Sequence, residues 1–256
     1  LPPDLSDDDF ATVWGAIHDE CAALGVDIVT GHTARYAGCS FPWVGAATAL
    51  AVGDHDALVR PDGARVGDDL LITTGPAVEA AALFASLFSD EIGCEDDRLA
   101  NVAAMFDELG VVRDIRAIAG IDGVSAIHDI TEGGLLGACH EMAAGADVWF
   151  RIDTDRIPID DDVAAVCSTL EMDPWRATSS GSLLLSVDPN TTDDVLAALR
   201  DRGTTAAVIG SVESGSTESD SGVIRDGEPT EPPAGDSSWP VYERLLAAVA
   251  DDADAG

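Results

Sequence analysis

The sequence predicts an α+β fold, a mixed sheet with packed helices, and three observations carry that expectation. Strand-like and helical segments follow one another without the regular alternation of a doubly wound parallel sheet. Short apolar runs bounded by glycine and proline turns are interspersed with longer runs whose apolar residues recur at helical spacing. Of the 256 residues 46% are hydrophobic, enough for a sizeable core, yet only 5% are aromatic, so that core must be aliphatic and rich in alanine.

The elements follow in order. After a proline loop, Ser6 and Asp7 open a helix that carries Phe10, Val13, Trp14, Ile17, Cys21 and Leu24 on one stripe. A short buried strand is expected at 26–29, ending in the glycine turn TGHTA, and another strand in FPWVGAATALAVG, residues 41–53. A turn at Pro61-Asp62-Gly63 precedes a strand over 70–74, and the likeliest seam between domains falls at 66–69. Helices are expected over 77–88 and 97–109, while 115–118 is ambiguous. GVSAIHDI reads as a strand leading to a glycine-opened helix that ends near Ala143. A strand at 148–152, a helix over 160–170, the buried strand SGSLLLSV, a helix over 192–202 and the strand AAVIGSV follow. ESGSTESDSG reads as a loop inside the fold, GVIRDG as a strand and turn, and SSWPVYERLLAAVA as a closing helix with residues 251–256 frayed.

Charge narrows the function classes. Forty-eight acidic residues face 13 basic ones, all arginine, for a formal net charge of −35. Acidity spread along the whole chain suits a salt-loaded cytoplasm, where a Debye length of about 3 Å at molar salt screens the self-repulsion. A surface for a polycation is the alternative. Nucleic acid is not expected as a partner, because no basic stripe is present to neutralise phosphates. No apolar run approaches a membrane span. Five scattered cysteines without paired spacing argue for reduced thiols in a cytoplasm.

The stretch IHDITEGGLLGACHEMA, residues 127–143, raises the sharpest question. Gly133, Gly134 and Gly137 are poor helix formers, yet helical spacing begins at Leu135. A glycine-led helix start presents backbone N–H groups and a positive dipole end, which suits an anion, with Asp129 placed to hold a phosphate-bound metal and Thr131 to cap the helix or touch the anion. The competing reading makes Asp129 or Thr131 an ordinary cap and the glycines a means of tight packing. In TGHTA, Gly31, His32 and Thr33 could form a second polar turn with His32 as proton carrier or phosphate contact, or be structural; a zinc site of His32 with Cys21 and Cys39 has unsuitable spacing. TSSGSLLLSV places Ser180 and Gly181 before a strand, the reverse of a nucleophile elbow, as a polar cleft edge or a plain turn.

In order along the chain, GHT at 31–33, GDDLLIT at 67–73, IHDITEGGLLGACHEMA, CSTLEMDPWRATSSGSLLLSV at 167–187 and IGSV at 209–212 resemble the aminoimidazole ribonucleotide (AIR) synthase-related superfamily. The D-x-T-x-G-G, C-x-x-L-x-x-D-P and I-G-x-V elements resemble its hydrogenase expression/formation branch most. The lack of an acidic residue in the 30–34 turn disfavours AIR synthase itself.

The resemblance implies a two-domain fold. Residues 1–66 would be the C-terminal part of an AIR synthase-like N-terminal domain, here apparently incomplete, and 67–250 the C-terminal domain. It implies an ATP- and Mg²⁺-dependent enzyme, ligase- or kinase-like, that activates an amide or carboxamide oxygen by phosphoryl transfer. It also implies a homodimer and a small-molecule substrate. Gly31, His32, Thr33, Asp129, Thr131, Gly133, Gly134, Ser180 and Gly181 would line the nucleotide or substrate site, with Asp129 and His32 as catalytic candidates and Asp129 as metal ligand.

Two departures stand. The glycine-rich loop and acidic pair that bind phosphates in the family are not matched here, and the chain starts at Leu1, as though inside a longer product. The reactive C-terminal cysteine of the hydrogenase branch is not matched either, since the chain ends DDADAG. A non-catalytic dimeric binding homologue is therefore the alternative.

Overall fold

A computed structural model describes residues 1–39, 45–215 and 221–255, with the side chains of 56 and 251–255 left aside. It divides into two compact units, residues 1–57 and 58–256.

In the first unit, α1 (Asp7–Leu24) starts where the sequence places it. The Ser6 hydroxyl oxygen accepts the Asp9 N–H at 3.0 Å, and Gly25 ends the helix with φ 67°. Its apolar stripe is not core: no residue of α1 is buried, and Trp14 and Ile17 are 42% and 46% exposed. The strand expected at 26–29 does not form, nor does one over 45–53; the expected strand's residues 41–44 lie outside the described residues. A strand needs a neighbour to take its N–H and C=O groups. No strand lies among the described residues of this unit.

The second unit is built on a seven-stranded sheet in the order β2-β4-β1-β5-β3-β6-β7. The strands are β1 (Asp69–Thr73), β2 (Val124–Asp129), β3 (Trp149–Ile152), β4 (Leu183–Val187), β5 (Ala206–Glu213), β6 (Gly222–Arg225) and β7 (Glu228–Thr230). All neighbours are antiparallel except β3 and β6. This mixed sheet with helices packed on it is the α+β architecture the sequence predicts. Residues 216–220 of the expected loop between β5 and β6 lie outside the described residues.

Strand alternation sorts side chains to two faces. Leu70, Ile72 and Leu184 join Phe150, Ile152 and Ile209 in a core closed by α5 (Gly134–Ala146) through Leu135, Cys139 and Met142. Leu71, Leu183, Leu185 and Val187 face the other way, against α4 (Val111–Ile118) and α7 (Thr192–Arg202). The ambiguous segment at 115–118 is thus helical. Its Asp114 is buried, accepts the Thr204 hydroxyl at 2.6 Å and lies 2.8 Å from Arg202 Nε. A third, all-helical cluster joins α2 (Val78–Leu87), α3 (Asp96–Ala104), α6 (Asp161–Thr169) and α8 (Ser238–Ala255), with Phe84, Phe88 and Tyr242 ring against ring.

Several boundaries differ from the sequence reading. The helix expected over 97–109 tightens into a 3₁₀ turn at Met105–Glu108, and α8 runs on to Ala255, past residue 250. β1 stops at Thr73 because Thr74 turns to φ 61°.

Candidate functional site

β2 lies at one edge of the sheet, and its exit leads straight into the glycine turn. Residue 130 is gripped from one side of the sheet's end: the Ile130 N–H donates to Ser182 O at 3.0 Å, and Ser179 N–H donates to Ile130 O at 3.2 Å. The Ser180 and Gly181 turn is therefore brought beside Asp129 and Thr131. Ser180 N–H and the Thr178 hydroxyl both donate to Glu79 Oε2, at 2.8 and 3.0 Å, which pins that turn to the first turn of α2. The buried Ser179 and Ser182 hydroxyls donate to Gly75 O at 3.1 and 2.6 Å. The Thr74 hydroxyl reaches Gly181 O at 3.1 Å.

The glycines at the start of α5 have a local explanation. Gly133 and Gly134 take φ of 82° and 62°, which L side chains rarely adopt. A Cβ on Gly134 would lie 2.7 Å from Ala177 O and 2.8 Å from Trp175 O, so the close approach is to protein backbone. Three of the donors at the helix start are taken up internally. Gly134 N–H donates to Thr131 O at 2.9 Å, and Leu136 N–H to Trp175 O at 3.0 Å. Gly133 N–H donates to Asp236 Oδ2 at 2.9 Å. Neither Asp129 nor Thr131 caps α5; Gly133 holds the cap position without a side-chain bond, which removes the cap reading for both. Their side chains are left to the outside, with Asp129 61% exposed and Thr131 half-buried.

His128 stands between the two ends of this turn. Its Nε2 lies 3.1 Å from Glu141 Oε2 on α5, and its Nδ1 2.5 Å from the Asp129 carbonyl oxygen. Cys139 points into the core, where burial pushes its thiol up to about 12, and Cys167, also raised by burial, reaches about 12. Both stay protonated and inert at neutral pH. His140 turns to the Thr230 hydroxyl at 3.1 Å; burial lowers its pKa against the opposing pull of Glu231.

Gly31, His32 and Thr33 belong to the other unit, in an exposed segment without regular structure. Among the described residues no three His, Cys, Asp or Glu side chains are grouped to hold a metal, so Cys21, His32 and Cys39 form no zinc site. The donor chemistry around Asp129, an exposed carboxylate 3.5 Å from His128 Nδ1, matches what Mg²⁺ needs when it arrives on a phosphate with its own waters. It does not match a resident metal.

Sequence reasoning missed Asp236, Glu79 and the His128–Glu141 pair. It missed equally the buried Asp68, whose Oδ2 accepts the Ser186 hydroxyl at 2.7 Å and the Arg65 N–H at 3.1 Å, with Ser125 alongside. Only the D-S-S run at 236–238 carries a local signal, an Asx turn ahead of a helix.

Residues 65–221 match the family model described as AIR synthase related protein, C-terminal domain. Carbamoyl dehydratase HypE of Rhizobium leguminosarum bv. viciae is 32% identical over 191 residues, covering 73% of this chain and 53% of that protein. Thiamine-monophosphate kinase of Halobacterium salinarum is 29% identical over 201 residues, 77% of this chain and 62% of that protein. The chain thus spans about half to three fifths of the length of these two relatives. A crystal structure of the hydrogenase maturation protein HypE in complex with ATP superposes with a TM-score of 0.65 at 21% identity, over 91% of this chain and 70% of that one. That likeness speaks for the fold alone. Among the described residues no helix is long and apolar enough to cross a membrane.

Proposed function

The chain belongs to the AIR synthase related family by its C-terminal domain, and from that premise we propose that it is part of an ATP-dependent enzyme which activates an amide- or carboxamide-type oxygen by phosphoryl transfer. Within the family we assign it to the hydrogenase-maturation branch. Similarity to carbamoyl dehydratase HypE and the D-x-T-x-G-G turn support that choice.

The observation that carries the reading is the β2 exit. Three backbone donors of the turn are consumed inside the protein, while the Asp129 carboxylate, 61% exposed and 3.5 Å from His128 Nδ1, lies beside Thr131 and the Ser180–Gly181 turn. A side chain so exposed is accessible to a ligand.

ATP bound with Mg²⁺ would supply the phosphoryl group that converts the substrate oxygen into a good leaving group. In this proposal Asp129 offers one carboxylate oxygen to the cation that accompanies the phosphates. Thr131 offers a hydroxyl, and Ser180 a second polar contact at the rim. His32, in the exposed turn with Gly31 and Thr33, is the candidate proton carrier. Residues 1–66 are assigned to the end of an N-terminal domain and 67–250 to the C-terminal domain. The exposed stripe of α1, with Trp14 and Ile17, supports a homodimer in which such a stripe is covered. A cytoplasm rich in salt accounts for the charge of −35.

Calorimetric titration of Mg-ATP in molar KCl tests the reading. Saturable binding by the native chain, weakened about tenfold or more in Asp129→Asn through loss of one charge-assisted contact, is expected. Equal affinities in the two proteins would remove Asp129 from the site. A second reading, a non-catalytic dimeric homologue, is favoured by α1, whose apolar stripe finds no core of its own. Folded protein that takes up no Mg-ATP, with nucleotide at millimolar concentration, would select it.

A further inference from the structure

The buried end of α5 holds one group that the proposed function does not use. Asp236 is only 6% exposed, in the loop that leads into α8. Its Oδ1 accepts the Ser238 N–H at 2.8 Å and the Ser238 hydroxyl at 2.5 Å, while Oδ2 accepts the Gly133 N–H at 2.9 Å. The loop that carries it is fastened on both sides. Ser237 N–H donates to Arg176 O at 3.0 Å, the Ser237 hydroxyl to Asp173 O at 2.7 Å, and Arg176 Nη2 to Gly235 O at 3.2 Å. Pro233 lies over Gly133, where an added methyl would sit 3.9 Å from its ring.

A carboxylate in that position does what a bound oxyanion does at a helix N-terminus: it meets the buried Gly133 N–H and the positive end of the dipole. We propose that Asp236 is a built-in anion that closes the Gly133 amide at the start of α5 to free oxyanions and so restricts this end of the site to a ligand phosphate that arrives with its cation. A bare phosphate at Gly133 meets a negative charge already seated there, and like charges at contact distance inside a protein repel strongly. The exposed Asp129 and Glu132 carboxylates beside the turn add to that repulsion and attract a cation instead. Asp236 is thus a positioning and specificity residue: it holds the turn from residue 131 to 134 in one geometry and selects the charge state of the ligand.

The inference rests on the proposed function only in taking this turn as the ligand end of the molecule, and the first arm of its test uses neither nucleotide nor metal. Inorganic sulfate is titrated into the full chain at constant ionic strength, with the Gly133 backbone amide followed by ¹⁵N NMR. In the native protein that amide stays silent. In Asp236→Asn the side-chain carbonyl still serves Ser238, but an NH₂ group faces Gly133 and two donors converge; in Asp236→Ala the position is vacated. Both variants gain a saturable response at Gly133, with a midpoint at least about tenfold below any seen in the native chain. A saturable shift at Gly133 of the native protein, or a folded Asn variant that remains silent, overturns the proposal. If alanine unfolds the α8 entry, the Asn variant, which keeps the turn to Ser238, decides alone. In a second arm, metal-free ATP binds the Asn variant at least about tenfold more tightly than the native chain while Mg-ATP does not. Failure of all ATP binding with the sulfate response intact would retire the proposed enzyme and leave the role of Asp236 standing.

Discussion

Gly134→Ala is the sharpest test of how the α5 turn is built. Two effects add. The residue must keep φ 62°, and holding an L side chain in the left-handed region costs roughly 1–2 kcal/mol. The new Cβ must also fit 2.7 Å from Ala177 O and 2.8 Å from both Arg176 C and Trp175 O. Those are backbone atoms fixed by the Leu136–Trp175 hydrogen bond at 3.0 Å, so relief requires a shift of the 175–177 segment, and overpacking of that kind costs about 1–3 kcal/mol. The sum, about 2–5 kcal/mol, is a large share of the 5–15 kcal/mol of a typical domain. Gly203→Ala separates the two parts, because Gly203 has φ 96° and nothing within 4 Å of an added Cβ. Urea unfolding in molar KCl, followed by circular dichroism, should place the Gly134 variant below the Gly203 variant by the overpacking part alone. Equal midpoints for the two variants would refute the packing explanation of Gly134 and reopen a ligand-facing role for it.

Other outcomes follow from the same structure. Cys139 and Cys167, with thiols raised to about 12 by burial, should resist a thiol reagent at pH 8 in the folded chain; the half-buried Cys21, Cys39 and Cys94 should react, as counted by absorbance. His140 is depressed by burial, so the unfolded chain takes up its proton first as pH falls. Its stabilising contribution is therefore complete above the unfolded value near 6.5 and is lost as pH drops toward the lower folded value. His140→Gln should flatten the dependence of the unfolding midpoint between pH 7 and 5, and an unchanged slope would exclude His140 as its source. Moving the protein from molar to dilute KCl should lower the midpoint as screening of the −35 charge is withdrawn; an unmoved midpoint would contradict a salt-adapted surface.

Much of the second unit was legible locally. Asp160, which accepts from Asp162 and Val163 N–H, marks the start of α6, and Gly203 the end of α7. The alternation of Leu70, Leu71 and Ile72 between two cores is written in the strand itself. The expected strand at 26–29 failed for the opposite reason: apolar residues propose a strand, but only a neighbour's hydrogen bonds make one.

The sequence by itself determined the α+β class, the family resemblance and the position of the glycine turn, because periodicity, caps and turn chemistry act over a few residues. Tertiary structure decided what the turn does. The same glycines suit a phosphate or a tight packing contact, and sequence spacing cannot choose between them. Backbone from 175–177 pressed against Gly134, and a carboxylate 103 residues away from the N–H it accepts, give the glycines a packing role that only the folded chain reveals. Glu79, 101 residues from Ser180, was equally out of sight. Buried polar groups must find partners wherever the folded chain brings them. Those partners, set by long-range packing, leave Asp129 exposed and take up the Gly133, Gly134 and Leu136 amides at the helix start.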